Sequence, residues 1–224
     1  MIYVEEIAAS ILLLLWVVFV ITFLTKNLYR VMVKRGLEHY VAVYYNRKVI
    51  HILTGGLCAA LVPVVFKSFI LPLSMSLLLA AFLLYNHRKA KIMRWFQTED
   101  NTYEVSFCIM WGLIISLGWI LGDGDFRIGI MPVIFMSVGD AITGIVRNAI
   151  YKRRTKSWWG NLAMAVFSIN VGIIVGVAGV IAGAVASLVE HLEFKIIDDN
   201  VLVPATSFLV LLLAKMLAPW SLAL

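Results

Sequence analysis

The chain has 224 residues, of which 62% are hydrophobic and only 14% charged, with a formal net charge of +6. So few charged side chains cannot clothe a water-soluble globule of this size. Several apolar runs reach or approach the ~20 residues that cross a ~30 Å hydrocarbon core. A soluble domain is excluded, and the composition defines an all-α polytopic membrane protein, read as a single integral domain over residues 1–224.

The first predicted helix covers about 7–25. Glu5 and Glu6 precede it where a signal peptide carries basic residues, so it is expected to be retained, peripheral to a core over about 47–204. Further spans are predicted at 49–67, 68–86, 105–122 and 128–147, with a last one near 201–218. Between them, 159–189 is too long for one ordinary crossing and rich in Gly and Ala. Two short helices folded back near Gly176–Gly179 are expected there, with Gly172, Gly176, Gly179 and Gly183 allowing close helix approach. The total is seven to eight transmembrane helices. Cys58 and Cys108 both fall inside apolar runs and are read as packing residues.

The 19 Lys and Arg are unevenly placed: six in 26–48, four in 86–104 and five in 147–158. Positive-inside bias puts those loops in the cytoplasm and the N-terminus outside. The basic charge therefore reflects topology and contact with anionic lipid, and no nucleic-acid partner is expected. The hairpin at 159–189 also brings the mostly acidic segment 190–200 to the cytoplasmic side, whereas a single crossing would leave it outside.

Four polar clusters would then share that face. In "NRKVIHILTGG", Arg47, His51, Thr54 and Gly55 fall on one helical face with Lys48 beside them. They could wall a polar cavity, or simply anchor the helix by snorkelling. In "SVGDAITG", Asp140 is the one acidic residue placed within a span, which marks a site facing the bundle interior. Thr143, Gly144 and Arg147 share its face. In "KRRTKSWWGN", Lys156 and Ser157 suit phosphate oxygens. Ser157 also reads as an N-cap, and Gly160 would keep an anion's approach open. In "IIDDNVLVP", Asp198, Asp199 and Asn200, with Glu190 upstream, form an oxygen-rich set suited to Mg²⁺ or another hard cation, or a plain helix cap. Asp198 and Asp199 cannot point the same way in regular structure. Together these parts suit phosphoryl or nucleotidyl transfer, and no Walker A motif, kinase Gly-rich loop or dinucleotide fingerprint is present.

The ordered set "RKVIHILTGG", "GDAITG", "KSWWGNLAM" and "E…DDNVLVP" resembles the polyprenol kinase family of integral membrane enzymes, which includes dolichol kinase and phytol kinase. More distantly it is similar to phosphatidate cytidylyltransferases. The resemblance runs from about Arg47 to Pro204. It implies CTP-dependent transfer of a γ-phosphate to the hydroxyl of a membrane isoprenoid alcohol, with a divalent cation. The family pattern Lys-Ser-x-Glu-Gly has Trp159 at its Glu position; Asp198, Asp199 or Glu190 could supply that carboxylate.

The expected roles follow. Asp140, Lys156 and Asp199 are the catalytic candidates. Arg47, Lys48, His51, Arg147, Lys156, Ser157, Gly160 and Asn161 would hold the nucleotide. Asp140, Glu190, Asp198, Asp199 and Asn200 would hold Mg²⁺. The lipid tail would stay in hydrocarbon while its hydroxyl reaches the interface of a cell membrane or endoplasmic reticulum. The rival readings are a cytidylyltransferase making a CDP-lipid, and a small transporter, which would place its polar residues nearer the bilayer midplane and show internal repeats.

Overall fold

The structure, a computed structural model, describes residues 3–151, 156–192 and 197–223. Among them the regular structure is all helical, without a strand. Seven helices are long and apolar enough to span a membrane: α1 Val4–Lys34, α2 His39–Val65, α3 Ile70–Arg88, α4 Tyr103–Leu121, α5 Arg127–Tyr151, α6 Trp158–Val175 and α8 Asp199–Leu217. Between the last two lies the shorter apolar α7, Val177–His191. The protein is thus an all-α multi-pass membrane protein. Both α1 and α2 run well into polar sequence, through Lys34 and from His39, because Lys, Arg and Tyr continue a helix beyond the hydrocarbon at little cost.

The stretch 159–189 is a hairpin, as its length and glycines suggest. Gly176 turns the chain with φ +88° and ψ −161°, a conformation essentially confined to glycine. The arms then pack backbone to backbone. A Cβ on Gly172 would lie 2.3 Å from the Gly179 carbonyl oxygen, and one on Gly183 would lie 2.4 Å from that of Ser168. At the turn itself a Cβ would meet the Ser221 carbonyl oxygen at 2.6 Å. Gly176→Ala is therefore expected to destabilise the protein by about 1–3 kcal/mol, read as a lower thermal midpoint in detergent; an unchanged midpoint would remove the strain argument.

Cross-links between elements define two ends of the bundle. At one end, the Lys67 backbone N–H donates to Glu6 Oε1 at 2.8 Å, Ala223 donates to the Val175 carbonyl at 3.0 Å, and Lys215 pairs with Asp123 at 2.6 Å. The other end carries the connection 89–102 and the start of α8, and there the polar clusters gather.

Three helices carry a π-helical turn: α1 at Val20–Leu24, α2 at His51–Gly56 and α5 at Phe135–Gly139. Such turns loosen the regular carbonyl ladder and are frequent at functional sites. Indole N–H groups take up carbonyls in two of them: Trp95 donates to Ile21 at 2.8 Å, Trp16 to Leu53 at 2.7 Å and Trp111 to Gly55 at 2.9 Å. The turns of α2 and α5 pack directly on each other, since a Cβ on Gly55 would strike Ser137 and one on Gly56 would strike Val138. The result is that His51, at the start of one turn, and Asp140, just after the other, face one another.

Candidate functional site

Asp140 begins the regular helix after the π-turn of α5. Its Oδ2 accepts from Lys48 Nζ of α2 at 2.6 Å, and His51 Nδ1 lies 3.3 Å from the same oxygen without meeting it at a hydrogen-bonding angle. The His51 ring is held in place by stacking on Phe107, with centroids 4.2 Å apart. Lys48 reaches Asp140 because residue 144 is glycine: a Cβ there would sit 2.4 Å from Lys48 Cε and 2.5 Å from the Tyr44 hydroxyl.

A second cluster lies alongside. Arg147, two turns beyond Asp140, turns away from it and grips Glu190 of α7 with a two-pronged contact of 2.7 and 2.6 Å. Asn161 completes this knot. Its Oδ1 accepts from Arg147 at 2.7 Å, and its Nδ2 donates to the Ser187 carbonyl and to Glu190. Lys156 bridges outward, donating to Glu190 Oε1 at 3.1 Å, to the Glu190 carbonyl, and to Asp199 Oδ2 at 2.9 Å. Glu190 is only 1% exposed, so this is a fully desolvated carboxylate stabilised by paired cations.

The adjacent aspartates diverge, as their neighbouring positions require. Asp198 caps α8, accepting from the Asn200 backbone N–H at 3.2 Å, from the Asn200 side chain at 2.9 Å and from Ser106. Asp199 faces Lys156. Arg47 is committed to the connection over the site, donating to the Phe96 carbonyl at 2.8 Å and to Asn101 at 3.1 Å.

A single cavity of about 320 Å³ joins these groups. At its polar end Arg47, Lys48, Arg147 and Lys156 face Glu104, Asp140, Glu190, Asp198 and Asp199, with His51 and Asn200 on the same wall. From there an apolar limb runs between α1, α2, α3 and α4. Helix α1, although peripheral, forms one wall of that limb through Leu13, Val17 and Ile21.

Most of the site residues expected from sequence border this cavity. Ser157, Gly160 and Asn161 do not. Ser157 caps α6, accepting from the Gly160 N–H at 3.4 Å. Gly160 makes room for a side chain, not for an anion: a Cβ there would lie 2.6 Å from Arg147 Nε. Gly160→Ala is expected to displace the guanidinium from Glu190 and destabilise the protein by about 1–3 kcal/mol, measurable by detergent melts. Retention of the wild-type midpoint would show that Arg147 can yield. Trp159 is 61% exposed and does not border the cavity. The basic residues 152–154 and the segment 193–196 lie outside the described residues.

Tyr44, Tyr103, Glu104 and Phe107 also line the cavity and were not singled out from the sequence. Tyr44 lies one turn before Lys48 on α2, a spacing that could have pointed to it.

The fit to a divalent cation follows from which carboxylate oxygens are engaged. Among the described residues, no group of three or more His, Cys, Asp or Glu is placed to hold a metal ion. Glu190 is occupied by Arg147, Lys156 and Asn161, while Asp198 and Asn200 serve the helix cap. Asp140 and Asp199 each keep one oxygen that no described residue engages, and both line the same cavity. That arrangement does not fit an all-protein cage. It fits Mg²⁺, which is commonly held by one or two carboxylates together with substrate phosphates.

The fold and site therefore define a multi-pass membrane protein with a charge-dense cavity at one end of its bundle, continuous with an apolar limb. Compared with protein-family models, with curated proteins and with solved structures, the chain gives no match.

Proposed function

We propose that this protein transfers the terminal phosphate of a nucleoside triphosphate, CTP by the resemblance of its motifs, to the hydroxyl of an isoprenoid alcohol. The observation that carries the reading is the continuity of the cavity. Groups suited to phosphate and metal meet at its polar end, and hydrocarbon is accommodated beyond. Lys48, Lys156 and Arg147 would hold phosphate oxygens or keep the carboxylates in place. Asp140 and Asp199 would hold Mg²⁺, which would supply positive charge to offset the charge of the phosphates. Among the described residues, five carboxylates stand against four cations at the polar end, a balance that favours a triphosphate arriving with a cation.

In the transfer, the alcohol oxygen forms a bond to the γ-phosphorus while the bond to the β,γ-bridging oxygen breaks. The hydroxyl proton passes to an aspartate, and the nucleoside diphosphate leaves. The Lys and Arg clusters near this end support a cytoplasmic orientation for it. The lipid's tail remains in an apolar environment throughout, which avoids a cost of ~0.8 kcal/mol per CH₂ exposed to water.

The test uses purified protein in detergent with Mg²⁺ and CTP labelled separately at the γ-phosphate and in the cytidine. Isoprenoid alcohols, diacylglycerol and phosphatidate are offered together. Lipid labelled only from the γ-phosphate is the expected product. Cytidine label in lipid would instead make the protein a cytidylyltransferase, and no label in lipid would overturn transfer altogether.

A further inference from the structure

We infer that the apolar limb of the cavity is a length-limited berth for one hydrocarbon chain, closed at its far end by Phe66, and that it selects single-tailed alcohols whose chain fits within about 20 Å. This inference rests on the transfer reading for its activity assay, but the berth itself is testable without it.

The limb's length can be read along α2. His51 marks the polar end and Phe66 the far end. Fifteen residues separate them, or about 20 Å at ~1.5 Å per residue. That exceeds one leaflet, roughly half of a ~30 Å hydrocarbon core, and falls short of the whole. A tail longer than the limb must bend out of it.

The walls suit hydrocarbon. Cys58, Met75, Leu79 and Phe107 contribute apolar surface. The two hydroxyls on the limb already have acceptors: Thr54 donates to the Ile50 carbonyl at 2.7 Å and Ser76 to that of Leu73 at 2.9 Å. No buried polar atom in the limb awaits a partner, so neither water nor a second headgroup is drawn into it.

The far end is held rigidly. Phe66 ends α2 in an extended conformation and is 4% exposed. The next residue, Lys67, is tied through its N–H to Glu6, whose other oxygen accepts from the Tyr3 N–H at 2.9 Å. A floor pinned to the start of α1 does not give way to a longer chain. Access is from the side: Leu14 of α1 borders the limb yet is 46% exposed to the surroundings of the bundle. A tail can slide in past α1 without leaving the bilayer, and the single limb offers no place for the second chain of a diacylglycerol.

The experiment has two arms on the full-length protein. In the first, long-chain primary alcohols carrying a diazirine at mid-chain or at the tail end are photolysed with the protein, and the adducts are mapped by mass spectrometry. Mid-chain adducts are expected on Cys58, Met75 or Leu79, and tail-end adducts on Phe66 or its neighbours. Adducts spread over the lipid-facing surfaces would overturn the berth. In the second arm, geraniol, farnesol, geranylgeraniol and undecaprenol are compared as acceptors of γ-phosphate. Turnover should rise to the alcohol that fills the limb and fall for undecaprenol. Leu79→Phe and, independently, Met75→Phe should raise the geraniol-to-geranylgeraniol ratio about tenfold, the scale on which a pocket reads one or a few methylenes. An unaltered ratio in both variants would overturn length selection. Correctly placed adducts with no transfer to any alcohol would uphold the berth while removing the kinase reading.

Discussion

Asp140→Asn should reduce phosphate transfer by about 10²-fold or more, the scale of losing a positioned proton acceptor or a metal carboxylate, while leaving the fold in place. The argument starts from the contact with Lys48. Asn keeps the shape of Asp, and its carbonyl oxygen can still accept from Nζ at the 2.6 Å contact. Lys48 therefore keeps a partner, and the helices keep their spacing. What is lost is the negative charge and the basic oxygen facing the cavity. Detergent melts near the wild-type midpoint combined with lost γ-phosphate transfer are the expected pair of results. Full transfer by the variant would sink the assignment of Asp140 to metal or proton, and would shift attention to Asp199.

Glu190→Leu should do the opposite: its main effect is on stability, a loss of about 3–5 kcal/mol from leaving a buried cation without its counter-charge. Arg147 is almost wholly buried, and its Nη1 and Nη2 groups find Glu190 and Asn161. Removing the carboxylate leaves that charge stranded beside Lys156. The companion variant carrying both Arg147→Met and Glu190→Leu should recover most of the loss, because an apolar pair of similar volume carries no desolvation cost. Denaturation in mixed detergent micelles distinguishes the two cases. A double variant no more stable than Glu190→Leu alone would mean that the knot with Asn161 and Ser187, not the charge pair, holds α5 to the hairpin.

The helices and the hairpin were legible because each reports through local sequence. Apolar run length marks the spans, and the glycines of 172–183 mark the close turn. The gathering of polar clusters at one end was legible from the spacing of Lys and Arg. Partnerships were not. Asp140 and Arg147 lie along one helix, yet each pairs across the bundle, with residues 92 and 43 positions away. Sequence spacing carries no information about such contacts. The same limit bears on Asn161: its chemistry suits phosphate, but it lies behind Arg147, inside the hairpin joint, whereas Arg47 borders the cavity while donating to the Phe96 carbonyl. Ser157 was legible as a helix cap, since capping is local.

The widened turns in α1, α2 and α5 act as phase slips along otherwise regular helices. Each extra residue advances the helical face by ~100° relative to an unbroken helix, so the segments before and after it keep different azimuths. On α2 the slip lies between the Lys48 end and the Cys58 end, both of which must look into the same cavity. Removing one residue from His51–Gly56 would restore a regular helix and swing one half of that wall toward lipid. The alignment of the charged end with the apolar limb thus depends on a single-residue irregularity in chain length, one that no substitution of side chains could reproduce.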